Sequence, residues 1–267
     1  MKVGFSAPTS ESILQEHILV KPDFWIASNN KVLKDIATFK YLPSANYQKH
    51  GKIIKSGKVS VEEAQVFLLK ENQKKLNTDT GNSTTYVVVN EVFDEKNKLR
   101  NCYTVDFFQK VFEQVKLSSA KTVFNEHRLI TLFLVRQRAF IKLIEPLIKE
   151  GLIDYVGLQI WDIGRPLEFS MIWLLIKLFQ AMGVKVLISE FGIYEPDSIK
   201  QAFRANEWLK MFADAGVESV GYWWLRDGPH TAMPLARDSS KNPGLYTENW
   251  EPKPILEIFA KYVETPN

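Results

Sequence analysis

The sequence predicts an α/β chain folded as one (β/α)8 barrel domain spanning residues 1–267. Three observations carry that prediction. Strand-like apolar runs alternate with helix-like stretches, as in a parallel sheet with crossover helices. Gly151, Gly183 and Gly216 each stand between a helix-like stretch and the next apolar run. Glycine supplies the left-handed cap that turns a helix back toward a sheet. Finally, a length of 267 residues suits one barrel, which typically takes about 250.

The candidate strands, in order, are Lys2–Ala7, His17–Val20, Lys52–Lys55, Thr85–Glu91, Thr122–Asn125, Tyr155–Trp161, Lys185–Glu190 and Ser219–Trp224. Each is short, rich in β-branched or aromatic residues, and bounded by turn formers or charge. Gly51 is a further candidate cap before the third strand. Between the later strands, Val105–Leu117, Arg138–Lys149, Glu168–Met182 and Ile199–Ala215 carry apolar residues at three- and four-residue spacing, which predicts amphipathic helices. Pro252–Val263 reads as a closing helix, with Pro252 and Pro254 near its start, where proline is tolerated. The Lys-rich stretch from Lys70 to Lys75 reads as a solvated helix face. No low-complexity tract or linker interrupts the pattern.

Composition narrows the function classes. The chain has 34 basic and 31 acidic residues and a net charge of +3, too balanced to argue for nucleic acid or a membrane surface. No apolar run approaches the roughly 18 residues of a membrane span. Cys102 is the only cysteine, so no intrachain disulfide or cysteine-based metal site is expected. The four histidines are scattered without metal-ligand spacing, and no glycine-rich phosphate loop is present. No metal and no cofactor is expected. Met1-Lys2 runs straight into a strand-like segment without a secretory leader pattern. Asn82-Ser83-Thr84 is a glycosylation sequon, a triplet common by chance.

Glu91 and Glu190 carry the chemistry. Each stops an apolar strand-like run: Tyr86-Val87-Val88-Val89-Asn90-Glu91 and Lys185-Val186-Leu187-Ile188-Ser189-Glu190. In an α/β barrel the C-terminal strand ends build the active face. One glutamate at a strand end is usually a surface or capping residue. Two, on different strands, fit glycosidic-bond cleavage by an acid and a nucleophile or base. Carboxyls about 5–5.5 Å apart give retention of configuration, and about 6.5–9.5 Å give inversion.

Five stretches together resemble glycoside hydrolase family 10, the endo-β-1,4-xylanases of clan A. They are Asn90-Glu91-Val92-Phe93-Asp94, Val123-Phe124-Asn125-Glu126-His127, Asp154-Tyr155-Val156-Gly157-Leu158-Gln159, Gly183 to Gly192, and Asn249 to Pro254. The resemblance covers residues 85 to 264 and thins before them. It implies Glu91 as general acid/base at the end of strand four and Glu190 as nucleophile at the end of strand seven, with retention of configuration. It implies that Asn90 hydrogen-bonds a sugar 2-hydroxyl, that Gln159 sits beside the nucleophile, and that Trp223 packs on a sugar ring. Asn125, His127, Trp161 and Trp224 join the candidate substrate contacts. Asp162 and Arg165 read as an active-face loop that binds substrate or caps a helix. In strand eight, alternation should send Trp223 and Trp224 to opposite sides.

The departures are specific. The family's third strand carries a tryptophan-histidine motif, absent from Gly51 to Ala64. The element after strand two is reduced to Pro22-Asp23-Phe24-Trp25. Trp161 stands where the family has histidine, and Trp224 where it has glycine. The last loop keeps Asp227 without the family's second tryptophan. The implied function is retaining hydrolysis of β-1,4-xylan or xylo-oligosaccharides by a monomer whose partner is the polysaccharide or oligosaccharide substrate. Family members are often secreted. The alternatives are another clan A β-glycanase, on glucan or mannan, and a carbohydrate-binding barrel with weak or lost catalysis.

Overall fold

The computed structural model describes residues 2–5, 40–45, 59–78, 85–100, 103–129, 135–162, 169–224, 226–227 and 242–262. Within these, seven strands form one sheet: β1 (Lys2–Phe5), β2 (Lys40–Tyr41), β3 (Thr85–Asn90), β4 (Lys121–Glu126), β5 (Tyr155–Asp162), β6 (Lys185–Ile193) and β7 (Ser219–Tyr222). They hydrogen-bond in the order β1-β7-β6-β5-β4-β3-β2. Six helices alternate with them: α1 (Val61–Thr78), α2 (Val105–Lys116), α3 (Val135–Lys149), α4 (Phe169–Ala181), α5 (Ser198–Asp214) and α6 (Ile255–Tyr262). Gly151, Gly183 and Gly216 take φ of +69°, +86° and +78°, the left-handed caps expected at those turns.

One assignment is corrected. The expected second and third strands, at His17–Val20 and Lys52–Lys55, lie outside the described residues, but the place beside β3 is held by Lys40–Tyr41. Its register is parallel, with Lys40 opposite Tyr86 and Tyr41 opposite Val87. The backbone of Leu42 extends the ladder by donating to the carbonyl of Val87 at 3.1 Å. A 3-10 turn, Pro43–Ala45, then ends it. Buried Ser44 locks that turn, donating from Oγ to the Val88 carbonyl at 2.6 Å while its N–H binds Asn72 Oδ1 of α1 at 3.0 Å. A two-residue ladder has no run of alternating residues to betray it, and Ile53-Ile54 nearby looks more strand-like. The segment that takes the place, Lys40-Tyr41-Leu42-Pro43-Ser44, also lacks tryptophan and histidine.

The chain divides into two compact units, and strands β5 and β6 contribute residues to both. The first unit comprises residues 39–159 and 170–189. Its core is a relay of rings. Phe124 of β4 packs on Phe108 and Phe112 of α2 at 5.4 and 5.6 Å and on Phe140 of α3 at 5.2 Å, and Phe140 meets Phe179 of α4 at 6.0 Å. All five are fully buried, each contributing roughly 1.5–3 kcal/mol of transfer free energy. Thr104 caps α2 by accepting from the Phe107 N–H.

Asp154 fastens β4 to the start of β5. It accepts from Lys116 Nζ at 2.7 Å, from the Thr122 N–H at 2.8 Å and from Thr122 Oγ1 at 3.0 Å. Burial by itself would raise its pKa, but the Lys116 ammonium and Thr122 donors outweigh burial and hold the carboxyl below its ordinary 3.8. A carboxylate depressed in the folded state stabilises above its unfolded pKa, and that contribution fades as pH falls through the folded value. Asp154→Asn should therefore cost about 1.5–3 kcal/mol near neutrality. The gap to the parent protein should close progressively below about pH 4. Denaturant unfolding of both proteins along a pH series checks this; a gap that stays constant into strong acid would refute it.

The second unit comprises residues 1–38, 160–169 and 190–267. Phe191 of β6 is its central ring, edge-on to Trp208 and Phe212 of α5 and to Tyr222 of β7 at 6.2, 5.4 and 5.7 Å. Asp197 caps α5 with bonds from the N–H groups of Ile199 and Lys200. Asp162, expected in an active-face loop, instead ends β5 and is buried. It accepts from Trp208 Nε1 at 3.0 Å and pairs with Arg204, so it braces α5. Its expected companion Arg165 lies outside the described residues. Asp227 is likewise structural, accepting from the Gly244 N–H at 2.6 Å and pairing with buried Lys253 at 3.2 Å.

Candidate active site

In the first unit the site grows from the end of β3. Asn90 is the last strand residue, and Glu91 turns out of the strand with φ +51°. A non-glycine residue there carries strain of about 1–3 kcal/mol, which persists only where the surroundings fix it. Here they do. The Glu91 N–H donates to the Asn125 carbonyl at 3.1 Å, and the Glu91 carbonyl accepts from Arg100 Nε at 2.7 Å. The next N–H, that of Val92, is held by Glu126 Oε2 at 2.8 Å.

The side chains follow the same logic. Glu91 Oε1 accepts from Gln159 Nε2 at 2.9 Å. Among the described residues, Glu91 Oε2 accepts no hydrogen bond. Asn90 Oδ1 accepts from Asn125 Nδ2 at 2.8 Å and Gln159 Nε2 at 3.3 Å, which orients the Asn90 amide and leaves its NH2 group as a donor. Asn125 is wholly buried, and its Oδ1 accepts from Ser189 Oγ. Its place in the core makes it the support under Asn90. Gly157 is required beside it: a Cβ there would lie 2.6 Å from Asn125 Oδ1.

His127 lies at the edge of this group, Nδ1 4.0 Å from Glu91 Oε2 and 2.9 Å from Glu126 Oε1. The shorter approach is not aligned as a hydrogen bond, and Nδ1 has no such partner among the described residues. Nε2 faces Arg136 Nη1 at 3.3 Å. An arginine can only donate, so this contact puts the lone pair on Nε2 and the ring proton on Nδ1, toward the carboxylates.

In the second unit, Glu190 lies within β6 and is 2% exposed. Two residues on, Gly192 lies under the Trp161 ring: a Cβ at 192 would come 2.6 Å from Trp161 Cζ3. Trp161 meets Trp223 edge-on at 5.6 Å and Tyr194 at 6.2 Å. Trp224 donates from Nε1 to the Tyr194 hydroxyl at 2.7 Å. Burial, partly offset by that bond, pushes the Tyr194 phenol up to about 12, so it stays neutral throughout the working range. The expected divergence of Trp223 and Trp224 is corrected. β7 ends at Tyr222, so strand alternation no longer governs them, and their rings lie 6.2 Å apart in one aromatic group. Trp161 Nε1 is buried and has no hydrogen-bond partner among the described residues.

Sequence reasoning singled out Glu91, Asn90, Gln159, Asn125 and His127, and these are linked here through hydrogen bonds or close approach. It did not anticipate that Gln159 would grip Glu91, and it missed Glu126, Arg136, Arg100 and Tyr194. Glu126 had a signal: it too stops an apolar strand, Lys121-Thr122-Val123-Phe124-Asn125-Glu126. Among the described residues, no group of three or more His, Cys, Asp or Glu could hold a metal ion, and no helix is long and apolar enough to cross a membrane.

Residues 55–262 match the sequence family described as Glycosyl hydrolase family 10, which is more than half the chain. The chain belongs to glycosyl hydrolase family 10. Family 10 membership makes it a glycoside hydrolase with the (β/α)8 barrel of that family. Solved structures agree on the fold. XynB, a xylanase from Paenibacillus barcinonensis, is 15% identical with TM-score 0.73, over 97% of this chain and 95% of that one. Xylanase 10B from Thermotoga maritima is 16% identical with TM-score 0.71, over 98% and 95%. An endo-1,4-beta-xylanase from Caldicellulosiruptor owensensis is 20% identical with TM-score 0.70, over 98% and 97%. No curated protein matches the sequence.

Proposed function

We propose that this family 10 chain hydrolyses β-1,4-xylosidic bonds in xylan or xylo-oligosaccharides with retention of configuration. Glu91 is the general acid/base and Glu190 the nucleophile. The observation that carries the reading is the state of Glu91 in a family 10 chain. Its backbone is pinned in a strained conformation on both sides, and one carboxyl oxygen is engaged by Gln159 while the other accepts no hydrogen bond among the described residues. The xylanase neighbours support the substrate class. In the first step the Glu190 carboxylate attacks the anomeric carbon while the Glu91 proton goes to the departing glycosidic oxygen. Glu91 then takes a proton from the water that releases the sugar.

Asn90 offers its NH2 to the sugar 2-hydroxyl, and His127 contributes an Nδ1–H beside Glu91. Trp161, Trp223 and Trp224 supply apolar faces suited to sugar rings. Gln159 acts through Glu91. A reducing-sugar assay over xylan, mixed-linkage glucan and mannan, with the product anomer followed by NMR, tests the reading. Release from xylan with the β anomer appearing first is expected. Release from glucan or mannan alone would move the substrate class, and the α anomer first would refute double displacement. Binding to xylan without release would favour the non-catalytic barrel, a reading favoured by the absent third-strand motif.

A further inference from the structure

We propose that buried Glu126 and Arg136 form a positioning pair that holds Glu91 in its working geometry. The inference rests on reading Glu91 as the acid/base. The Glu126 side chain is 0% exposed and that of Glu91 27%, so Glu126 does not reach substrate and acts through its neighbours. Its two oxygens divide the work. Oε2 takes the N–H of Val92, the residue after the strained turn, and Oε1 takes the His127 N–H at 3.1 Å and Arg136 Nη1 at 3.3 Å.

Arg136 closes the arrangement from α3. Its side chain is 4% exposed, so it balances the Glu126 charge where water does not. Nε donates to Asn97 Oδ1 at 2.9 Å and Nη2 donates to the Asp94 carbonyl, both in the segment that leads away from Glu91. Nη1 also meets His127 Nε2, which fixes the imidazole whose other nitrogen approaches Glu91. One ion pair therefore anchors the turn at 91–92, the loop at 94–97 and the ring beside the acid. A half-missing buried pair leaves a bare charge, so removing Glu126 disturbs all three.

The test uses phenyl and 2,4-dinitrophenyl β-xylobiosides with the parent protein, Glu126→Gln, Glu126→Ala and Glu91→Ala. Deprotonated dinitrophenol leaves without help, whereas phenol needs the acid, so in the glycosylation step, which kcat/KM reports, only the phenyl substrate depends on Glu91 as acid. Glu126→Ala should lower kcat/KM on the phenyl substrate on the order of 10- to 100-fold, the scale of a small misplacement of a catalytic group. It should lower kcat/KM less than about 3-fold on the dinitrophenyl substrate, where kcat and KM fall together as the glycosyl-enzyme accumulates. Glu126→Gln keeps an acceptor for Val92 and should fall between, and it decides the matter if the alanine variant does not fold. Thermal unfolding confirms the folded fraction. Equal losses on both substrates would reduce Glu126 to a purely structural residue and overturn the proposal. If Glu91→Ala discriminates between the substrates and the Glu126 variants do not, positioning fails and the acid/base reading stands. If Glu91→Ala does not discriminate, the acid/base reading falls and the positioning pair falls with it.

Discussion

Replacing Glu190 with alanine should abolish xylan hydrolysis, a loss of roughly 10,000-fold or more, as deletion of a nucleophile does elsewhere. Nothing else in a retaining mechanism can form the covalent glycosyl-enzyme. Glu190 is almost wholly buried, so the truncated side chain leaves a small void that a linear anion fits. Azide added with a dinitrophenyl β-xylobioside should enter it, attack the anomeric carbon and restore turnover. The product is then the α-glycosyl azide, inverted because one displacement has replaced two. Azide that yields only the β product would show that the nucleophile is intact and lies elsewhere.

Glu91→Ala should lose on the order of 100- to 10,000-fold on xylan, the range of general acid–base assistance. The first step on the dinitrophenyl substrate should be nearly unaffected. Its glycosyl-enzyme should then accumulate, because deglycosylation also needs Glu91 as base. Azide needs no base, so it should release that intermediate as the β-glycosyl azide. The two variants are thus expected to give azides of opposite configuration, and identical anomers would refute the division of roles. The geometry at residue 91 makes alanine the suitable substitution. The strained backbone is held by Asn125, Arg100 and Glu126 through main-chain atoms, none of which the substitution removes.

Much of this was legible in the sequence because burial repeats itself along the chain. The helices α2 to α5 and strands β3 to β6 announce themselves through apolar spacing, and Gly151, Gly183 and Gly216 mark the turns between them. Lys40–Tyr41 was not legible, since its two-residue ladder is specified by what lies beside it and by Ser44 and Asn72. At the site, Glu91 stands just past the end of β3 as its apolar run suggests, whereas Glu190, read as a strand end, lies inside β6, which runs on to Ile193. Asp162 reads from sequence as an active-face loop residue that binds substrate or caps a helix, yet it ends β5 and braces α5. What separates them is the partner: Arg204 and Trp208 for Asp162, Gln159 for Glu91. Arg136 gave no signal, because its partners span Asp94 to His127 and converge only in space.

The Trp161 ring over Gly192 makes the two positions epistatic. Any side chain at 192 clashes while the indole is in place, and a smaller residue at 161 alone opens a hole above the glycine. Neither single change is neutral, so their effects should not add. A lineage can cross between a histidine and a tryptophan at 161 only in a particular order: the glycine must come before the large ring and must outlast it. Returning position 161 to histidine therefore needs no change at 192, but it uncovers the glycine, and Tyr194 and Trp223, which now meet the indole, must repack over it.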